Sequence, residues 1–212
     1  MNLNNNGCQQ SGCGRQQCGN GKFNCTETFR AIDAACIPPA STPEPSKLAY
    51  GSFYDPSGST KIIIPVSPPT PGQKVIFTTP GPLLNVAPAA IPNNNTDLQV
   101  ATSGVYEISM DLSVDLSNST DDPSDTYVRF GLFINDTTLV TESQFESDNS
   151  IAIANAPTGL IVFLNIDNTI GRTIQLRLNK DDRISIRVVE ARVDLGFLAY
   201  NFPSLVVNKI DN

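Results

Sequence analysis

In VYEISMDLSVDL, residues 105–116, Tyr106, Ile108, Met110, Leu112, Val114 and Leu116 alternate with Glu107, Ser109, Asp111, Ser113 and Asp115. A period of two puts every apolar side chain on one side of an extended chain and every polar one on the other. The stretch therefore predicts a long strand with one buried face and one wet, acidic face. The same alternation returns in TIQLRLNKDDRISIRV, residues 173–188, where Ile174, Leu176 and Leu178 precede a turn-like NKDD and Ile184, Ile186 and Val188 follow it. YVRFGLFIND (127–136) and SLVVNKI (204–210) add further strands, and clusters of Gly, Pro, Asn and Asp separate them. From Leu48 onward the chain reads as all-β and antiparallel. Short strands at close spacing, with long excursions such as residues 78–96, predict a Greek-key sandwich or jelly roll rather than a simple meander.

Upstream the composition changes. Residues 1–22 are dominated by Asn, Gln and Gly, which offer almost no apolar surface to offset the entropy of ordering them. FNCTETFRAIDAAC follows, and its Phe29, Ile32 and Cys36 are compatible with a short helix over 26–36. IPPASTPEPS favours extended backbone, a semi-rigid spacer of roughly 3 Å per residue. The expected organisation is a Cys-rich tail over 1–36, a Pro-rich linker over 37–47 and one β domain over 48–212.

Composition narrows the function classes. With 14 basic against 21 acidic residues and a net charge of −7, the chain lacks the basic surface that nucleic acid or anionic membrane selects. No run of 18 apolar residues occurs to span a membrane, and MNLNNNG lacks the charged and apolar regions of a signal peptide, so a protein made without one is expected. There is no His in the chain, which removes the commonest general base, the Ser-His-Asp and Cys-His arrangements and any His-containing zinc site. Carboxylates four apart on a strand, such as Asp111 and Asp115 or Glu142 and Glu146, stand about 13 Å apart, too far to cooperate as a glycosidase pair. Asp97, Asp111, Asp121, Asp122 and Asp125 supply hard oxygens, but their spacing resembles no calcium loop. The expectation is a non-enzymatic protein with no cofactor and no metal site.

Taken in order, LAYGSFYDPSGS, VIFTTPGPLLNV, TDLQVATSGVYEISMDLSV, FGLFINDTTLVTES, LRLNKDDRISIRV and PSLVVNKI resemble the complement C1q and tumour necrosis factor-like domain. The likeness is greatest to versions that end collagen-like surface glycoproteins of bacterial spores. The resemblance spans about residues 48–212 and implies a compact ten-stranded jelly roll that assembles as a homotrimer. It also implies that the strand of Glu107, Asp111 and Asp115 lies beside the one bearing Arg177, so that cross-strand pairs offset part of the acidity. One departure stands out. A Cys-rich tail and a Pro-rich linker replace the collagen-like stalk, which suggests a building block rather than a filament tip.

All five cysteines, Cys8, Cys13, Cys18, Cys25 and Cys36, lie in the tail. Their gaps of four, four, six and ten intervening residues contain no paired short spacing for zinc, and an odd count leaves at least one thiol free or paired between chains. A flexible tail relaxes the geometric demands of a disulfide, so the cysteines are candidate cross-links between copies, formed once the protein meets an oxidising exterior. Phe23 and Phe29 are the tail's aromatic anchors and its candidates for docking on a neighbouring subunit. GFLAYNF, residues 196–202, carries aromatics at both parities, so one sheet face cannot bury them all. With Tyr50 and Phe53, its Phe197, Tyr200 and Phe202 are candidates for a subunit interface. The resulting expectation is a structural protein of the bacterial spore surface, exosporium or appendage. Its partners are itself, as homotrimer and higher-order polymer, and other spore-surface proteins. The competing expectation is a trimeric receptor- or glycan-binding module tethered by its tail.

Overall fold

The computed structural model of the chain describes residues 47–70, 72–89, 95–119, 126–149, 163–193 and 196–211. Contacts divide the chain between Pro45 and Ser46, and the unit running Ser46–Asn212 contains every element below. The tail cysteines, Phe23, Phe29 and the short helix expected over 26–36 lie outside the described residues.

Two antiparallel sheets form the head. Sheet A is built from β10 (Phe163–Leu178), β6 (Gly104–Ser119), β12 (Leu198–Asp211), β1 (Tyr50–Tyr54) and β3 (Thr79–Pro80) in that order, with β2 (Lys61–Ile62) also on β12. Sheet B runs β4 (Val86–Pro88), β5 (Leu98–Val100), β11 (Arg183–Arg192), β7 (Thr126–Ile134) and β8 (Thr138–Leu139), with β9 (Phe145–Asn149) also on β7. The chain crosses between sheets after β3, β5, β6, β9, β10 and β11. This is an antiparallel jelly-roll sandwich, whose two inner faces enclose one core.

Strand β6 forms as its alternation requires. Tyr106, Ile108, Met110, Leu112, Val114 and Leu116 are all 0–1% exposed. Facing them from sheet B are Val128, Phe130, Leu132, Ile184, Ile186 and Val188, each 0% exposed. The rings of Phe130, Phe145 and Tyr200 interlock, with Phe130 edge-on to Tyr200 at 6.2 Å and stacked on Phe145 at 5.7 Å. The NKDD stretch makes the turn that carries the chain from β10 in sheet A to β11 in sheet B. Asp181 takes a positive φ of 70°, and the Asp182 carboxylate accepts the Asn179 amide at 2.8 Å. One wall of the sandwich is closed by residues 61–77, which leave sheet A at Ile63, bonded to the Leu198 carbonyl at 2.8 Å. They reach sheet B at Val66, bonded to the Ala191 carbonyl at 3.0 Å, and bond it again at Val75, which donates to the Ile186 carbonyl at 2.9 Å.

GFLAYNF divides as its mixed parity requires. Register along β12 shifts between Asn201 and Ser204, where Phe202 adopts a φ of 48°. The bulge lets Tyr200 point into the core while Phe202 turns outward over Gly58.

Candidate assembly surface of the head

The outer face of sheet A is composed by the register of three long strands, β10, β6 and β12. Along β6 the outward residues are Glu107, Ser109, Asp111, Ser113 and Asp115. Opposite them on β10 stand Gln175, Thr173, Gly171, Thr169 and Asp167. On β12 stand Asn208, Val206, Ser204, Asn201 and Ala199, in the same order. Small hydroxyl side chains tie the rows together: Ser109 to Thr173 at 2.9 Å, Ser113 to Thr169 at 3.1 Å, and Ser204 donating to Asp111 at 2.7 Å. The middle of the face is thus polar and cross-linked by hydroxyl groups, with the buried Asn201 Oδ1 lacking a hydrogen-bond partner among the described residues.

Its charge differs from the expected pattern. Strand β10 does lie beside β6, but Arg177 stands opposite Val105 at one end, and Asp115 stands directly opposite Asp167 at the other. Among the described residues, neither of these two carboxylates has a side-chain hydrogen bond or an ion pair. Partial burial, and then the repulsion of Asp167, push the Asp115 carboxyl above its ordinary value. The partial neutralisation expected from Arg177 therefore does not reach Asp115, because the pairing register places the arginine five outward rows away.

Two other charged groups are internally committed. Asp55, 3% exposed, ends β1 in the sequence YDPSGSTK and accepts from Ser57 Oγ at 2.6 Å, Ser57 N at 3.0 Å, Ser59 Oγ at 3.2 Å, Thr78 Oγ1 at 2.9 Å and the Lys61 ammonium. Burial alone pushes its pKa up, but these donors, Lys61 foremost, outweigh it and hold the carboxyl well below the ordinary range. The Lys61 ammonium also lies 5.7 Å from the Tyr200 ring centre. On sheet B, Asp136 sits in the β7–β8 turn between Lys74 at 2.6 Å and Arg187 at 2.5 Å, with Arg183 at 3.5 Å, while Lys74 also reaches Asp97 at 2.8 Å. Both clusters tie loops to strands. Among the described residues no group of three or more His, Cys, Asp or Glu side chains is placed to hold a metal ion.

The aromatic interface candidates separate by burial. Phe53 and Tyr200 are 0% exposed and face the head's own core, Phe53 stacked on Phe77 at 5.5 Å. They are corrected to core residues, since a side chain without exposed surface has none to offer a second copy. Tyr50 is half-buried, and Phe197 and Phe202 are 38% and 53% exposed. The remaining exposed apolar side chains include Ile62 at 61%, Ile64 at 68% and Ile76 at 50%, all on the wall formed by residues 61–77. Sequence reasoning missed these isoleucines, because III reads as core unless the chain is known to leave the sheet there.

No protein-family model matches this sequence, and no curated protein does. Among solved structures the chain is similar to the globular domain of zebrafish complement 1qA protein, at 14% identity and a TM-score of 0.45, covering 78% of this chain and 99% of that one. It is also similar to Eiger TNF from S. frugiperda, at 14% identity and a TM-score of 0.43, covering 78% of this chain and 94% of that one.

Proposed function

We propose that the protein is a non-enzymatic structural unit of a bacterial spore surface. In this reading jelly-roll heads associate as trimers, and the N-terminal tails link trimers into a layer or an appendage fibre. The observation that carries the reading is the separation of two kinds of residue. From Lys47 onward the head closes a core without a single cysteine, while all five thiols precede it in a segment with little apolar surface. In this reading thiols so placed stand outside the core of the head and join copies. The homotrimer and the spore-surface setting come from the resemblance in sequence to spore-surface C1q-like domains, and the replacement of a collagen-like stalk by a Cys-rich tail supports a repeating unit.

Electron microscopy of the purified full-length protein, with and without reductant, tests this beside a variant carrying Ser at positions 8, 13, 18, 25 and 36. Fibres or sheets that weaken with reductant and in the variant are expected. Fibres indifferent to both assign the link to non-covalent docking of the tail. Discrete small particles in every condition overturn self-assembly and favour a tethered binding module.

A further inference from the structure

One end of the outer face of sheet A differs from the rest. Ile62, Ala199, Asp115 and Asp167 occupy successive strands of a single row, because Ile62 pairs with Ala199, Ala199 with Asp115 and Asp115 with Asp167. Phe197 lies two residues before Ala199, and its carbonyl accepts the Ser117 amide at 3.0 Å. Ala199 itself is fully buried, so the apolar surface at this end is that of Ile62 and Phe197, 61% and 38% exposed, beside two carboxylates that have no cationic partner among the described residues. Apolar surface beside uncompensated negative charge fits a segment that presents an aromatic ring next to a cation.

This chain contains such a segment. GKFNCTETFR, residues 21–30, sets Lys22 beside Phe23 and Phe29 beside Arg30. Residues 1–46 are neutral, with Arg15, Lys22 and Arg30 against Glu27, Asp33 and Glu44, whereas residues 47–212 carry the whole net charge of −7. A second head is the poorer match, because it would bring like charge to like charge.

The chain enters the head at the opposite end of the same sheet, where Tyr50 pairs with Asn208 and Asn208 with Glu107. The Asp115 row lies eight residues further along β6, about 27 Å away at about 3.4 Å per residue. An entry point at one end and a receptor at the other make a heterologous, head-to-tail contact, which repeats into a fibre unless its rotation closes a ring.

We infer that the end of sheet A formed by Phe197, Ile62, Asp115 and Asp167 is the docking site for the Lys22–Arg30 stretch of another copy's tail. The inference rests on the tail-linked reading above and deepens it by naming the receiving surface. The aromatic rings cover Ile62 and Phe197, and the flanking cations answer Asp115 and Asp167.

Two measurements on the full-length protein test it. The first is the concentration for half-assembly, by sedimentation, of the wild type, the double variant D115N/D167N, I62S, K22E, and K22E combined with D167K. A rise of about tenfold is expected for the double variant and for I62S, as when a contact loses about 1.4 kcal/mol. A rise in K22E that D167K partly reverses is also expected. The second is fluorescence anisotropy of a labelled peptide of residues 16–36, with Ser in place of its cysteines, titrated with each protein. Binding to wild type and loss in D115N/D167N support the site even if the wild type forms no polymer, in which case the assembly reading alone fails. Polymers indifferent to these substitutions, together with no peptide binding, overturn the site and leave assembly standing. A double variant that assembles more tightly, or that changes the number of heads per particle without changing peptide binding, also overturns it, because the face then packs on another head. Replacing either carboxylate removes repulsion within the head, so an unchanged or higher melting temperature separates lost docking from lost folding.

Discussion

Asp55 is a buried carboxylate that the fold tolerates only because five donors converge on it, and removing it leaves the Lys61 ammonium, 16% exposed, without its partner. Asp55→Ala is expected to destabilise the head by about 3–5 kcal/mol, read by chemical denaturation. The pH dependence follows from the direction of its shift. A folded-state pKa held below the unfolded value of 3.8 contributes stability at pH values above 3.8, and that contribution is lost as pH falls further. Melting temperature should therefore drop in acid more steeply for wild type than for Asp55→Asn. Asp115 has the opposite sign. Its folded pKa is raised, so the charged form costs stability at neutral pH, and the cost disappears as pH falls through that value. Asp115→Asn should raise stability at pH 7 by about 0.2–1 kcal/mol, with the gain vanishing in acid.

Among the elements, the wall of residues 61–77 is held by backbone bonds to both sheets and by one side-chain contact that no periodicity announces. The Ile76 amide donates to the Tyr200 hydroxyl at 3.0 Å, joining this irregular segment to β12 across the core. Tyr200→Phe keeps the ring packing and leaves that amide unpartnered, so a loss of about 1–3 kcal/mol is expected, with amide exchange at Ile76 accelerated well beyond that in the β6 ladder. The regular elements were legible in the sequence because each long strand has one face in the core and one in water. The alternation in β6 and the turn chemistry of NKDD are local consequences of that environment. The bulge at Phe202 was only half legible. Mixed parity in GFLAYNF required some ring to leave the core, but which one depends on where β1 and β2 divide the same edge of β12.

For the whole molecule, the tail and the head are separable in the reading argued above. Removing residues 1–46 is expected to leave the melting temperature of the head within about 2 °C of the full chain, since surface changes away from the core seldom exceed about 0.5 kcal/mol. The same truncation should abolish polymers in sedimentation, and retained polymers would shift the linking role to the heads. By itself the sequence determined the all-β class, the strands of the head, the confinement of every thiol to the first 36 residues and the lack of histidine chemistry, because these are matters of composition and local periodicity. Only the tertiary structure decided which aromatics stay at the surface, that Asp115 meets Asp167 rather than Arg177, and that Ile62 completes their row. Those facts depend on register between strands about fifty or more residues apart, where a slip by one residue turns every side chain to the opposite face and no local signal records which pairing wins.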